Sequence, residues 1–189
     1  MKLKKGFTLI ELLIVIAILA ALAVVVVVAI NPVQNLARTR DSGRINTIGQ
    51  LGHALEAYAT NNNSVYVDED GCGATAGWAN CLQTSGDLST VPAVVAAGIT
   101  DPQGGTYAAC GNFAAGLPLN QNGWCYDASA NVGTGPVIVY TRLESQSSSS
   151  KCASTEAAWA VYSSADGKAG IVCTADSNTE PTPGAQTFE

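Results

Sequence analysis

The strongest constraint on the fold is a long apolar run near the amino terminus, at residues 7–30. From residue 12 to residue 30 every side chain is Leu, Ile, Val or Ala. About 20 such residues in a helix, at about 1.5 Å each, match the hydrocarbon thickness of a bilayer. A short basic leader, residues 1–6, precedes the run. The sequence therefore predicts a membrane-spanning helix at residues 7–30.

One acidic side chain, Glu11, interrupts the start of this apolar run. A charge inside a membrane helix costs about 2.5 to 3.5 kcal/mol on insertion scales unless it finds a partner. Glu11 is therefore a candidate functional residue. The alternative is a glutamate that merely reaches the headgroup layer from the end of a membrane helix.

The leader and the apolar run meet at Gly6-Phe7, and Glu11 is the fifth residue counted from Phe7. This arrangement resembles the processing site of type IV prepilins and of the related pseudopilins of type II secretion. In that family a membrane peptidase cuts after the glycine, the new amino-terminal residue is N-methylated, and the fifth mature residue is a glutamate. The resemblance covers residues 1–60 and implies these roles for Gly6, Phe7 and Glu11.

The distribution of charge predicts how the chain sits in a membrane. The formal net charge is −6, but the leader is basic, and after residue 60 the only bases are Arg142, Lys151 and Lys168. Basic residues before a membrane helix tend to stay in the cytoplasm. We therefore expect a precursor in the cytoplasmic (inner) membrane, with its amino terminus inside and its domain outside. An acidic domain does not favour nucleic acid as a partner, because phosphate binding needs clustered bases.

All six cysteines follow the apolar run, and an even number there predicts disulfides in an oxidising compartment. Pairing between neighbours closes a local loop each time, although other pairings remain open. The predicted pairs are Cys72 with Cys81, Cys110 with Cys125, and Cys152 with Cys173.

A second helical segment is predicted at residues 31–60, after a break at Asn31-Pro32, because proline disfavours helical geometry in the residue before it. Apolar residues then recur at spacings of three and four. They are Val33, Leu36, Ala37, Ile45, Ile48, Leu51, Leu55 and Tyr58. The side chains expected on the opposite, solvent-facing side are Arg38, Arg40, Asp41, Arg44, Gln50, His53 and Glu56.

The remaining chain predicts one disulfide-bonded domain at residues 61–175 and a flexible carboxyl-terminal tail at 176–189. Residues 65–88 are expected to form a loop, and 90–97 a short helix. Residues 145–150 are expected to form a hairpin tip. Predicted strands lie at 107–110, 124–126, 137–143, 158–163 and 169–173. Together with the resemblance, this predicts an α+β, type IV pilin-like fold: a long amino-terminal helix packed on a small antiparallel sheet.

The sequence offers little catalytic or metal-binding chemistry. The one histidine, His53, is expected on the solvent face, and no nucleophile pair, phosphate loop or cofactor motif is present. Residues 67–71 are read as a solvated acidic loop rather than a calcium site. The turn at residues 101–107 resembles one in major pseudopilins, with Gln103 in place of a tryptophan, but an ordinary proline-glycine turn explains it equally. We expect no enzyme, metal or cofactor.

These observations favour a structural protein: a pilin that polymerises into a surface filament. Its expected partners are other copies, the prepilin peptidase and methylase, an inner-membrane assembly platform and, before assembly, the membrane itself. One alternative is a pseudopilin or minor pilin of a secretion or DNA-uptake machine. Another is a membrane-anchored, single-copy binding domain, which explains the helix but neither Glu11 nor the leader.

Overall fold

The computed structural model describes residues 6–68, 77–93, 119–128, 133–176 and 179–189. The chain divides into two compact units, Met1–Leu36 and Ala37–Glu189. The first unit is mainly helical, and the second contains the sheet and the disulfides.

Helix α1 (Leu9–Ile30) occupies most of the first unit, and all of its side chains are exposed. Within the described ranges, it belongs to the one helical stretch that is long and apolar enough to cross a membrane. It ends where Asn31 adopts a left-handed conformation, with φ at 45°, and α2 (Pro32–Asn61) begins at the next residue. Proline suits a first helical turn, since its missing N–H needs no partner there. The predicted break at Asn31-Pro32 is confirmed.

The second unit is built on a five-stranded antiparallel sheet in which each strand pairs with the next along the chain. The strands are β1 (Leu119–Gln121), β2 (Trp124–Ala128), β3 (Val137–Arg142), β4 (Ala157–Ser163) and β5 (Lys168–Thr174). β2 to β5 agree with the predicted strands to within two residues. The strand predicted at 107–110 lies outside the described residues. The α+β, pilin-like fold predicted from the sequence is confirmed.

One face of the sheet packs against α2 to form the main core. Ile48, Leu51 and Leu55 of α2 are fully buried there. A Cβ atom on Gly52 would overlap the ring of Tyr162 in β4, so the glycine allows helix and sheet to approach closely. The sheet and the segment before it contribute the large side chains Trp78, Leu82, Trp124, Tyr126, Val137, Val139 and Tyr162.

Two connecting segments differ from the sequence prediction. Helix α3 (Trp78–Ser85) lies where a loop was expected, because one of its faces, including Trp78 and Leu82, is buried in the core. The expected hairpin tip is a turn of helix, α4 (Gln146–Ser149), which begins where the Ser145 side chain accepts the N–H of Ser148. Residues 90–93 are not helical, and the rest of the helix expected at 90–97 lies outside the described residues.

The prediction of a flexible tail at 176–189 is wrong for residues 179–189, which pack beside the sheet. Val172 of β5 forms a β-bridge with Phe188, and Glu180 and Pro181 are buried. A composition rich in Pro, Thr and Gly is typical of disorder, but Glu180 and Phe188 find partners on strands far away in sequence. The second sheet face is thereby part of a smaller core, made of Cys125, Ile138, Tyr140, Ala157, Trp159, Val161 and Val172 with Phe188 packed against it.

Candidate processing and assembly site

The three residues singled out from the sequence lie together at the start of α1. Gly6, Phe7 and Thr8 precede the helix in non-helical chain, and Phe7 is 81% exposed. Among the described residues, chain neighbours aside, no atom lies within 4 Å of a Cβ added at Gly6. The bond between Gly6 and Phe7 is thus open to a protease, which needs an accessible, non-helical segment.

Glu11 has a partner within its own chain, the neighbouring Thr8. One carboxylate oxygen of Glu11 accepts the backbone N–H of Thr8 at 2.9 Å and the Thr8 hydroxyl at 2.8 Å. The Glu11 N–H donates in return to the Thr8 hydroxyl at 3.3 Å. This is a capping box, which satisfies backbone donors that the first helical turn leaves unpaired. The sequence reasoning missed Thr8, although its Thr-x-x-Glu spacing before an apolar run is the signal for this cap.

The cap turns the Glu11 carboxylate back toward the chain that precedes the helix. A cut after Gly6 would create a positively charged amine on Phe7, next to the capped Thr8. In surroundings of low dielectric constant, attraction between that amine and a carboxylate is much stronger than in water. This end of α1 can therefore carry both halves of an ion pair.

Comparison with known proteins identifies the amino-terminal segment. Residues 1–27 match the family model of the prokaryotic N-terminal methylation motif. The chain carries the type IV pilin and pseudopilin signature. The motif implies a pilin-like precursor that is processed by prepilin peptidase and belongs to a class that assembles into pilus-type polymers. The family is structural rather than catalytic. No curated protein and no solved structure matches the chain.

The pilin-like domain contains disulfides on both faces of its sheet. Cys152 is bonded to Cys173, as predicted, which ties the segment before β4 to β5. Cys81, in the core beside α2, and Cys125, in the smaller core, are also disulfide-bonded. Cys72 and Cys110 lie outside the described residues, so the pairs Cys72–Cys81 and Cys110–Cys125 stay predictions.

Two charged residues expected on the solvent side of α2 are buried instead. Asp41 is 2% exposed and Arg44 is 6% exposed. One oxygen of Asp41 accepts Arg44 Nη1 at 3.2 Å and the Glu144 N–H at 3.0 Å. The other accepts the Ser145 N–H at 2.9 Å and the Ser148 hydroxyl at 2.7 Å. Asp41 therefore fastens α2 to the connection between β3 and β4.

Glu56 forms a second polar attachment of α2. One of its carboxylate oxygens accepts the hydroxyl of Tyr66 at 3.0 Å and that of Tyr162 at 2.8 Å. Glu56 is half-buried, so it too departs from the predicted solvent face. The other members of that predicted face are exposed, namely Arg38, Arg40, Gln50 and His53.

The buried tyrosines predict how the domain responds to alkali. Burial raises the pKa of Tyr66, Tyr140 and Tyr162, and hydrogen bonds to Glu56 or Glu180 raise it further. A phenol with a raised pKa in the folded state favours folding below about pH 10, its unfolded value, and this contribution is lost as the pH rises further.

Of the six tyrosines, we expect Tyr140 and Tyr162 to ionise only when the domain unfolds, and Tyr66 to ionise above the ordinary range of a tyrosine. Phenolate absorbance and circular dichroism, followed together during an alkaline titration, test this. Ionisation of all six tyrosines near pH 10 in a folded domain would contradict it.

Two other motifs noted in the sequence fall largely or wholly outside the described residues. Of the acidic loop at 67–71, the structure describes Val67, which is buried, and Asp68, which is half-buried. The turn at residues 101–107 is not among the described ranges. A carboxylate oxygen of Glu156 lies near the sulfurs of Cys152 and Cys173, but in a disulfide those sulfurs are not the thiolates that bind metals.

Proposed function

We propose that the chain is a structural pilin, which is processed by prepilin peptidase and polymerises into a type IV pilus-like surface filament. The observation that carries this proposal is α1, whose 22 residues are exposed and apolar on every side except at Glu11. A helix that is apolar all round needs lipid or other helices around it. The membrane supplies these surroundings before assembly, and copies of the same helix supply them in a filament.

In this proposal each part of the chain has one role. The precursor lies in the inner membrane with its leader in the cytoplasm and its domain outside. The peptidase cuts after Gly6, Phe7 is methylated, and the assembly platform moves the processed chain from the bilayer into the growing fibre. The disulfide-bonded domain then forms the fibre surface. We assign the domain no catalytic activity, cofactor or nucleic-acid partner.

Shearing cells that express the chain, and imaging them by negative stain beside a deletion strain, tests this function. A major pilin predicts abundant fibres made mainly of this chain, and their loss on deletion. A pseudopilin or minor pilin would leave at most traces of the chain in the sheared fraction. A single-copy binding domain would remain with the cells, and either result would contradict the proposal.

Processing can be tested separately with two glycine variants. Among the described residues, chain neighbours aside, no atom lies within 4 Å of a Cβ added at Gly6 or Gly43, so the two sites are matched in the space around the added Cβ. We expect Gly6→Leu to accumulate as uncut precursor and Gly43→Leu to be cut normally, because the first alone lies at the junction. Immunoblots that resolve the two forms decide this, and normal cutting of Gly6→Leu would show that the junction lies elsewhere.

A further inference from the structure

The segment at residues 179–189, here called the strap, is held beside β5 by sparse backbone pairing. One β-bridge joins Val172 to Phe188, and the Glu189 N–H donates to the Ile171 carbonyl at 2.9 Å. By contrast, β4 and β5 pair along the full length of both strands. Segments with few backbone hydrogen bonds open at a lower free energy than core strands. Side chains add to the attachment, since the Ser163 hydroxyl donates to the Gly184 carbonyl at 2.9 Å and Asp166 accepts the Gln186 N–H at 2.8 Å, but neither contact is part of the pairing between strands. The strap can therefore come away while the strands of the sheet stay paired.

The surface beneath the strap has specific features for the side chains it holds. The Phe188 ring lies over Gly170, where an added Cβ would come within 2.6 Å of the ring. Lys168 Nζ is 4.5 Å from the ring centroid, a cation–π distance. Farther along, the buried Glu180 carboxylate accepts the hydroxyl of Tyr140 in β3. β5 thus supplies backbone groups at its edge and a contact surface for an aromatic ring, and β3 supplies a hydroxyl that donates to a carboxylate. Sites that bind extended peptides combine backbone pairing with pockets for side chains in this way.

We propose that the surface beneath the strap, here called the groove, is a binding site for an extended peptide with the same side chains as the strap. The partner that supplies this peptide is the strap of a second copy. The contacts described above are with groups on β3 and β5, so another copy's strap can make the same ones. This is the principle of domain swapping. The proposal goes beyond filament formation and does not depend on it. Two membrane-anchored copies could exchange straps before any filament is assembled.

The chain's own strap competes with any partner, since its tether gives it a high effective concentration. An isolated copy therefore keeps its groove closed. Where copies are crowded, exchange of straps would link neighbouring domains through the same contacts that each strap makes within its own chain. Weakening the chain's own strap while leaving the groove intact should then reveal the site.

The test measures binding of a fluorescently labelled peptide of residues 179–189 to the purified full chain in detergent. Phe188→Ala weakens the strap but leaves the groove unchanged, and it should bind the peptide about tenfold more tightly than the wild type does. Thr187→Ala alters an exposed strap residue and should behave as the wild type. Adding Gly170→Ala to Phe188→Ala should remove the gain, because its methyl group occupies the place of the peptide's aromatic ring.

Equal affinity of the Phe188→Ala chain and the wild type would overturn the proposal. So would a gain that survives Gly170→Ala, or equal binding of a peptide that itself carries Phe188→Ala. The Cys152–Cys173 disulfide and circular dichroism confirm that each receptor is folded. Should Phe188→Ala fail that check, Phe188→Leu keeps an apolar side chain and should show a smaller gain in the same direction, whereas no gain would overturn the proposal.

Discussion

Glu11→Ala and Glu11→Gln should each reduce the yield of sheared fibres by about tenfold or more, while leaving membrane insertion, cleavage and domain folding intact. An ionised carboxylate in hydrocarbon is costly without a countercharge, and we propose that the amine of Phe7 on a neighbouring subunit would provide one after cleavage. In this proposal the apolar side chains of α1 give affinity at any axial position of one helix along another, whereas the ion pair would select a single position. Without Glu11 the helix is more apolar but has lost the charge that positions it.

The capping box allows the charge and the cap to be tested separately. Glutamine also serves in capping boxes, so Glu11→Gln keeps the bond to Thr8 and loses the charge. Thr8→Val removes the capping hydroxyl and keeps the charge. We expect few fibres from the first variant and nearly normal yield from the second, counted beside immunoblots for processing. Uncut precursor from Glu11→Ala would instead assign Glu11 to peptidase recognition, and normal fibres from processed Glu11→Ala would contradict the pairing.

Asp41→Ala should destabilise the domain that contains the sheet by about 3 to 5 kcal/mol, the usual effect of removing one partner of a buried ion pair. The substitution leaves buried Arg44 without its nearest carboxylate, and it removes the acceptor for the N–H groups of Glu144 and Ser145. Because domains are stable by only about 5 to 15 kcal/mol, such a loss is a large part of the total.

Chemical denaturation followed by circular dichroism measures this effect. Ser42→Ala, an exposed neighbour on the same helix, is the matched control and should change stability by less than about 0.5 kcal/mol. A loss below about 1 kcal/mol for Asp41→Ala would mean that Asp41 is hydrated rather than buried in the network.

The sequence predicted the features that depend on neighbouring residues. Asn31-Pro32 marks a helix break because proline acts on the residue before it, and the strands predicted at 158–163 and 169–173 contain side chains that favour extended chain. The processing motif was equally local, since its glycine, phenylalanine and glutamate lie within a few residues of each other. Each of these features is determined by residues that lie close to one another in the sequence.

The features that the sequence did not predict depend on contacts between distant residues. Helical spacing placed Asp41 and Arg44 in solvent, but their partners, Glu144 and Arg142, are about a hundred residues away. Helix α3 is held by burial of Trp78 against Tyr126 rather than by a capping side chain. The strap has a disorder-like composition, and Tyr140 and Gly170, which hold it, belong to other elements.

The intact mass of the chain recovered from sheared filaments is the most direct test of the proposed function. We expect the main component to lack residues 1–6 and to carry one added methyl group on the amine of Phe7. Fibres that lack this chain, or a recovered chain that still begins at Met1 or begins beyond Ile30, would contradict a filament built on the retained helix.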